Sequence, residues 1–170
     1  MAFLRLDLPQ MNSWGFAMKE DHFSTFEERR WRPIVWSPAI EVGVEAIDDG
    51  HRGLIDLYNS IREASQLKDR AWTGVLLERL GNATAAHFAV EESLMSGIDY
   101  EHATTHKEEH RKLLEEFAYQ VDDWRDRHNS AELLCRFLYA WLLRHIVAMD
   151  VQLGRALQAA PGSNAPAPAA

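Results

Sequence analysis

The chain has 170 residues, of which 46% are hydrophobic and 26% are charged. This balance suits one globular domain and excludes wholesale disorder. The 26 acidic residues outnumber the 18 Lys and Arg residues, so the formal net charge is −8. An acidic surface repels phosphate backbones, and nucleic acid is therefore not expected as a partner.

The sequence indicates neither a membrane protein nor an oxidising compartment. It has no run of about 18 apolar residues that could span a bilayer. Its first residues contain an acid and a proline where a signal peptide needs a continuous apolar run. The single cysteine, Cys135, excludes an internal disulfide and the metal sites that need several thiolates. We therefore expect a cytoplasmic protein with no membrane partner.

Three zones follow one another along the chain. In the N-terminal extension, residues 1–33, aromatic residues at helical spacing ahead of Pro33 predict a short helix over residues 18–30. We expect this helix to pack on the main domain or on a second copy of the chain, so the protein would be a monomer or a weak homo-oligomer. The main domain is residues 34–153, and residues 154–170 are expected to form a disordered Ala/Pro-rich tail.

The main domain is predicted to be all-α. Apolar residues recur with the 3.6-residue period over four segments joined by short connections, which predicts an up-down-up-down four-helix bundle. Asp48 and Ser130 are the predicted N-caps of the first and fourth helices. The second helix should end near Gly97, and Asn129 suits a left-handed stop after the third.

Histidines and carboxylates occur on the apolar faces of these helices, where they would be costly to desolvate if unpaired. Two pairs have i, i+4 spacing, His87 with Glu91 and His106 with His110, so each pair aims two donors at one point. The full set has five imidazoles and two carboxylates: His51, His87, Glu91, His106, His110, His145 and Asp150. A bound cation satisfies all of them. A metal-free polar core network is the less economical alternative, and charges on a solvated face would not keep phase with the apolar period.

Seven ligands are too many for one ion and suit a pair of ions that shares bridging carboxylates. Imidazole and carboxylate without thiolate suit iron, manganese or zinc. Ferritin-like sites need Glu-x-x-His, which occurs nowhere in the chain. A histidine-rich site has fewer anionic ligands to stabilise high-valent iron, which favours reversible binding over strong oxidation chemistry.

The spacing of His145 and Asp150 leaves two geometries open. Asp150 is five positions after His145, which on an ideal helix places the two side chains about 140° apart. Either Asp150 reaches across from its position further along the axis, or the fourth helix contains a π-type turn that realigns the two side chains.

Five segments of the sequence together resemble the hemerythrins, most closely the bacterial ones. They are Trp36, VGVEAIDDGHRGL around His51, HFAVEESLM from His87, HKEEH from His106, and WLLRHIVAMD ending at Asp150. The resemblance covers roughly residues 34–153 and fills all seven ligand positions in order.

This resemblance implies a non-haem di-iron centre that binds O2 reversibly. Three histidines would hold the coordinatively saturated iron: His106, His110 and His145. Two would hold the iron that keeps an open position: His51 and His87. Two carboxylates would bridge the irons, together with a solvent-derived oxide or hydroxide: Glu91 and Asp150.

Five apolar residues are expected from their positions to wall the open iron and to keep water from bound O2: Leu54, Phe88, Trp141, Leu142 and Ile146. Each would also suit an ordinary core. The residue before the first ligand, usually glutamine in this family, is Gly50, which weakens the helix by about 1 kcal/mol relative to alanine. Three histidines off the ligand pattern are expected to be solvated: His22, His102 and His128.

The resemblance implies an O2 carrier rather than an enzyme, serving storage, delivery or scavenging of O2. Two alternatives stay open. One is a sensory or interaction module in which O2, iron or redox state changes how the extension or the tail engages a partner. The other is a redox protein that acts on nitric oxide or peroxide. One open iron would serve all three functions, so the sequence does not separate them.

Overall fold

The computed structural model describes residues 32–160, which consist of helices and short connections. A 3-10 turn, Pro38–Ile40, comes first. Four helices form the bundle: α1 (Glu45–Gln66), α2 (Arg70–Ser96), α3 (Ala103–Arg125) and α4 (Ala131–His145). A π-helical turn, Ile146–Asp150, continues α4 directly into α5 (Val151–Ala159).

Each bundle helix packs on the next one along the chain, and α4 packs back on α1. Because the connections are short, sequential helices are antiparallel neighbours. No strand occurs within residues 32–160. The all-α, up-down-up-down four-helix bundle predicted from the hydrophobic period is confirmed.

Two apolar clusters fill the bundle, and the predicted ligands lie between them along each helix. On α1, Ile47 belongs to the smaller cluster, Leu54 belongs to the larger one, and His51 lies between them. On α2 the chain runs the other way, from Leu80 in the larger cluster to Met95 in the smaller one. The ligands therefore form a polar layer that crosses the bundle between two layers of close-packed apolar side chains.

Two predicted helix boundaries are confirmed. The Ser130 hydroxyl oxygen accepts a hydrogen bond from the backbone N–H of Leu133 at 3.1 Å and caps α4. Helix α2 ends at Ser96, directly before Gly97. Both signals act through near neighbours in the chain, so the sequence was sufficient to find them.

The predicted start of the first helix is wrong. Helix α1 begins at Glu45, and Asp48 lies buried inside its first turn. The Asp48 carboxylate accepts hydrogen bonds from the backbone N–H groups of Val42 at 2.8 Å and Gly43 at 2.9 Å. Asp48 therefore satisfies the loop that precedes the helix, not the free N–H groups of the helix itself.

The predicted stop at Asn129 is also wrong. Helix α3 ends at Arg125, and the left-handed residue of the connection is Arg127, with φ 65°. The Asn129 side chain instead donates a hydrogen bond to the side-chain oxygen of Gln120 at 3.1 Å.

Residues 154–159, which were predicted to belong to the tail, are part of α5, which continues to Ala159. Gly154 is buried so closely against Val42 that a Cβ atom would overlap the Val42 carbonyl oxygen. The Gln158 side chain donates a hydrogen bond to the same carbonyl oxygen at 3.1 Å. Contacts with a distant loop thus hold a segment whose composition alone suggests a tail.

The predicted helix over residues 18–30, with His22, and the chain from residue 161 onward lie outside the described residues. The docking of the extension and the oligomeric state stay predictions. Across the described part of the chain, no helix combines the length and the apolar character needed to cross a membrane.

Candidate metal centre

All seven predicted ligands meet in the polar layer. Helix α1 contributes His51, α2 contributes two residues, α3 contributes two, and α4 with its π turn contributes two. Each residue is at most 5% exposed, although all seven side chains are polar or ionisable. The seven are His51, His87, Glu91, His106, His110, His145 and Asp150.

The π turn decides how His145 and Asp150 come together. It spans Ile146–Asp150 and follows His145 directly. With i to i+5 bonding, the two side chains point to one place, and His145 Nε2 lies 3.1 Å from Asp150 Oδ1. Of the two geometries that the sequence left open, the π turn is therefore the one observed.

The ligands form two groups. In the larger group, three imidazoles converge on one oxygen of each carboxylate. His106 Nε2 lies 3.1 Å from Asp150 Oδ1, and His110 Nε2 lies 3.0 Å from Glu91 Oε2. The candidate ligand atoms of this group lie within 4.8 Å of one another, and its members are Glu91, His106, His110, His145 and Asp150.

The smaller group uses the other oxygen of each carboxylate. His51 Nε2 lies 3.1 Å from Asp150 Oδ2, and His87 Nε2 lies 3.1 Å from Glu91 Oε1. Its ligand atoms also lie within 4.8 Å of one another, and its members are His51, His87, Glu91 and Asp150. Glu91 and Asp150 each present one oxygen to one group and one to the other, which is the arrangement of bridging carboxylates.

The donor set fits metal ions better than it fits hydrogen bonding alone. Nε2 of His87, Nε2 of His145 and Oε1 of Glu91 are buried without a hydrogen-bond partner. Such orphaned groups cost about 1–3 kcal/mol each in a protein interior. Metal ions placed among these three atoms would give each of them a partner, which hydrogen bonding in the present geometry does not. Neutral imidazole and carboxylate are also common metal ligands.

Electrostatics favour the carboxylates in their charged form. Burial raises the pKa of Glu91, but the imidazoles of His106, His110 and His87 outweigh burial and hold this pKa below its usual range. The pKa of Asp150 is lowered for the same reason, with burial opposing the shift and three histidines favouring it. Two carboxylates therefore remain ionised inside the bundle, and their negative charge attracts cations.

A small cavity lies against the polar layer, lined by His51 and His87 of the smaller ligand group and by His145 of the larger one. Its volume of about 10 Å³ is near the minimum that holds one water molecule. All five residues predicted to wall the open metal line it: Leu54, Phe88, Trp141, Leu142 and Ile146. The sequence analysis missed two lining residues, Thr84 and Leu113, although each lies three residues from a ligand on the same helical face.

Two of the three histidines predicted to lie off the site are within the described residues. His102 and His128 are exposed, as expected. Gly50 gains a role beyond helix propensity, because a Cβ atom there would overlap Nδ1 of the His87 ring. The glycine therefore makes room for a candidate ligand.

A layer of buried imidazoles and carboxylates inside a four-helix bundle defines a metal-binding bundle protein. Residues 42–157 match the family model described as the hemerythrin HHE cation binding domain. The chain therefore belongs to the hemerythrin family.

Named relatives agree with this assignment. Bacteriohemerythrin from Pseudomonas aeruginosa (strain LESB58) is 32% identical over 117 residues, which cover 66% of this chain and 74% of the relative. Hemerythrin subunit 1 from Golfingia vulgaris is 31% identical over 119 residues, covering 69% of this chain and 88% of the relative. A crystal structure of a hemerythrin variant superimposes with a TM-score of 0.68 at 26% identity, covering 74% of this chain and 98% of the variant.

Proposed function

We propose that the chain binds two iron ions in the polar layer and binds O2 reversibly at one of them, as an oxygen carrier for storage, delivery or scavenging. The observation that carries this proposal is the pair of overlapping ligand groups. They share both carboxylates and differ in the number of imidazoles, three in one group and two in the other.

The unequal groups support one filled and one open metal position. The larger group offers five protein ligand atoms, from three imidazoles and two carboxylates, and the smaller group offers four. If a solvent ligand were shared by two bound ions, the larger group would supply enough donors for six-fold coordination and the smaller group would be one donor short. When bound, such an iron pair would supply the electrons and the open coordination position that reversible O2 binding requires.

The position of the cavity supports this assignment of the open side. The cavity is lined by both imidazoles of the smaller group, His51 and His87, and by one of the three imidazoles of the larger group, His145. Leu54 and Leu142 provide part of its apolar wall, and Trp141 directs its indole N–H away to the Leu113 carbonyl oxygen at 3.1 Å. These residues would keep water away from a small apolar molecule, such as O2, bound in the cavity.

The lining of the cavity favours a carrier over an enzyme. Apart from the candidate ligands, no residue that lines it has an ionisable side chain. The Thr84 hydroxyl donates a hydrogen bond to the Leu80 carbonyl oxygen at 2.8 Å, so its O–H is already engaged. A site for reduction of peroxide or nitric oxide would benefit from a proton donor there. A sensory role would use the same centre, and no contact within residues 32–160 favours it.

Anaerobic loading with Fe(II) tests the proposal. Iron analysis should give about two irons per chain, and air should produce a visible charge-transfer band that disappears again when O2 is removed. One iron per chain would contradict the di-iron centre. Direct, irreversible oxidation in air would contradict the carrier and favour the sensor or the redox protein. A cytoplasmic location stays a prediction.

A further inference from the structure

His110 differs from the other candidate ligands in having partners on both ring nitrogens. Its Nε2 lies 3.0 Å from Glu91 Oε2 inside the polar layer, and its Nδ1 lies 3.0 Å from Glu92 Oε1 on the outside. The Nδ1 atoms of the other four imidazoles are buried and have no hydrogen-bond partner among the described residues: His51, His87, His106 and His145.

Two successive glutamates of α2 thus flank one ring from α3. Neighbouring residues on a helix point about 100° apart, so Glu91 turns into the layer while Glu92 passes around the outer edge of the ring. The Glu91 side chain is 0% exposed and the Glu92 side chain is 38% exposed. Glu92 therefore reaches His110 from the solvent side.

Phe88 holds the same ring on its face. The Phe88 and His110 rings are stacked, with centroids 3.8 Å apart and planes inclined by 4°. Three residues of α2 thus contact the His110 ring on its inner edge, its outer edge and one face, in addition to the neighbouring rings of His106 and His145. No second imidazole of the layer has this combination of contacts among the described residues.

We propose that Glu92 is a positioning residue of the metal centre. Its Oε1 accepts the Nδ1–H of His110, which fixes the tautomer and leaves the Nε2 lone pair directed at the metal. This inference rests on the proposed di-iron centre. It makes His110 the most firmly held imidazole, so the metal in the larger group is retained longer than the metal held by His51 and His87.

The chain provides a matched control for the test. Glu109 precedes His110 in the sequence and is exposed to a similar degree, 32%, but its carboxylate faces Arg144 at 3.8 Å. Glu92→Ala and Glu109→Ala remove the same charge near the same ligand, and only the first removes the hydrogen bond. Glu92→Gln removes the charge while its amide oxygen can still accept from Nδ1–H.

The experiment loads each full-length variant with Fe(II) without air and follows iron release to a chelator, with thermal melting of the metal-free protein as the check on folding. Wild type should release iron in two phases. Glu92→Ala should accelerate the slower phase about 10- to 100-fold, the usual effect of losing such a partner. Glu92→Gln should stay much closer to wild type, and Glu109→Ala should match wild type.

Equal release from Glu92→Ala and Glu109→Ala would overturn the inference, as would release from Glu92→Gln as fast as from Glu92→Ala. If Glu92→Ala does not fold, Glu92→Gln decides: near wild-type release upholds the hydrogen bond, and tenfold faster release refutes it. If the wild type retains no iron, the proposed function fails and this inference fails with it. If the wild type retains iron but the variants behave as just described, only this inference fails.

Discussion

The His87 ring occupies the space where a side chain at Gly50 would begin, because a Cβ atom at residue 50 would overlap Nδ1 of His87. Helices α1 and α2 therefore approach each other closely at the side of the centre with fewer imidazoles. Replacing this glycine has two opposed effects. Alanine is the better helix former by about 1 kcal/mol, but its methyl group would displace a candidate ligand.

Gly50→Ala should therefore weaken metal binding without lowering the stability of the metal-free fold. In the metal-free protein the His87 ring can shift, so the melting temperature should stay the same or rise. In the loaded protein His87 must hold its position, so the iron content should fall from about two towards one per chain. Gly53→Ala is the matched control, since a Cβ there meets nothing within 4 Å. Two irons in Gly50→Ala would show that the α1–α2 contact can adjust.

His106→Ala should remove metal and destabilise the fold. His106 is buried and contacts both carboxylates, at 3.1 Å to Asp150 and 3.5 Å to Glu91. Without it, the charged groups that remain are left partly unpaired in the interior, at a cost of about 1–3 kcal/mol each. Iron analysis and chemical denaturation check this, with the exposed His102→Ala as control. Full iron retention in His106→Ala would remove it from the ligand set.

Leu142→Ala should leave the iron content unchanged and shorten the lifetime of the oxygenated protein several-fold. Leu142 lines the cavity against the polar layer, and its loss would admit water to the open side. Leu138→Ala is the control, because Leu138 is buried one turn earlier on α4 and does not line the cavity. It should destabilise by about 2–5 kcal/mol without changing the rate of oxidation. Equal oxidation rates in both variants would make Leu142 an ordinary core residue.

The metal-free protein should lose stability on the alkaline side of neutrality. Burial lowers the pKa of His106, but hydrogen bonds to Asp150 and Glu91 outweigh burial and raise it from 6.5 to about 9. The folded state then binds this proton more tightly than the unfolded state. The resulting stabilisation is complete below pH 6.5 and is lost as the pH rises through about 9.

Urea unfolding of the metal-free protein across this range measures the effect. The free energy of unfolding should fall between pH 6.5 and about 9, and the fall should be smaller in His106→Gln, which does not titrate. Stability that is flat or rises over this range would show that His106 is already neutral in the folded protein. Glu91 gives the opposite pH dependence. Because its pKa is lowered in the folded protein, its carboxylate stabilises the fold above pH 4.5, and this contribution is lost in acid.

The sequence by itself determined the bundle and the identity of the polar layer. Both depend on periodicity, and the helical repeat is a property of the local chain. The i, i+4 pairs His87 with Glu91 and His106 with His110 needed only that repeat to be recognised. The cap at Ser130 was found because its hydrogen bond also joins near neighbours in the chain.

Only the tertiary structure decided features that depend on residues distant in the chain. Asp48 could not be assigned to the preceding loop from its own neighbours, and α5 could not be extended beyond residue 154 without its contacts with Val42. The π turn brings His145 and Asp150 together, whereas their spacing in the sequence was compatible with two geometries. Adjacent glutamates, Glu91 and Glu92, look alike in sequence, and only the position of α3 shows that both contact His110, since such contacts form across helices and leave no periodic signal in either one.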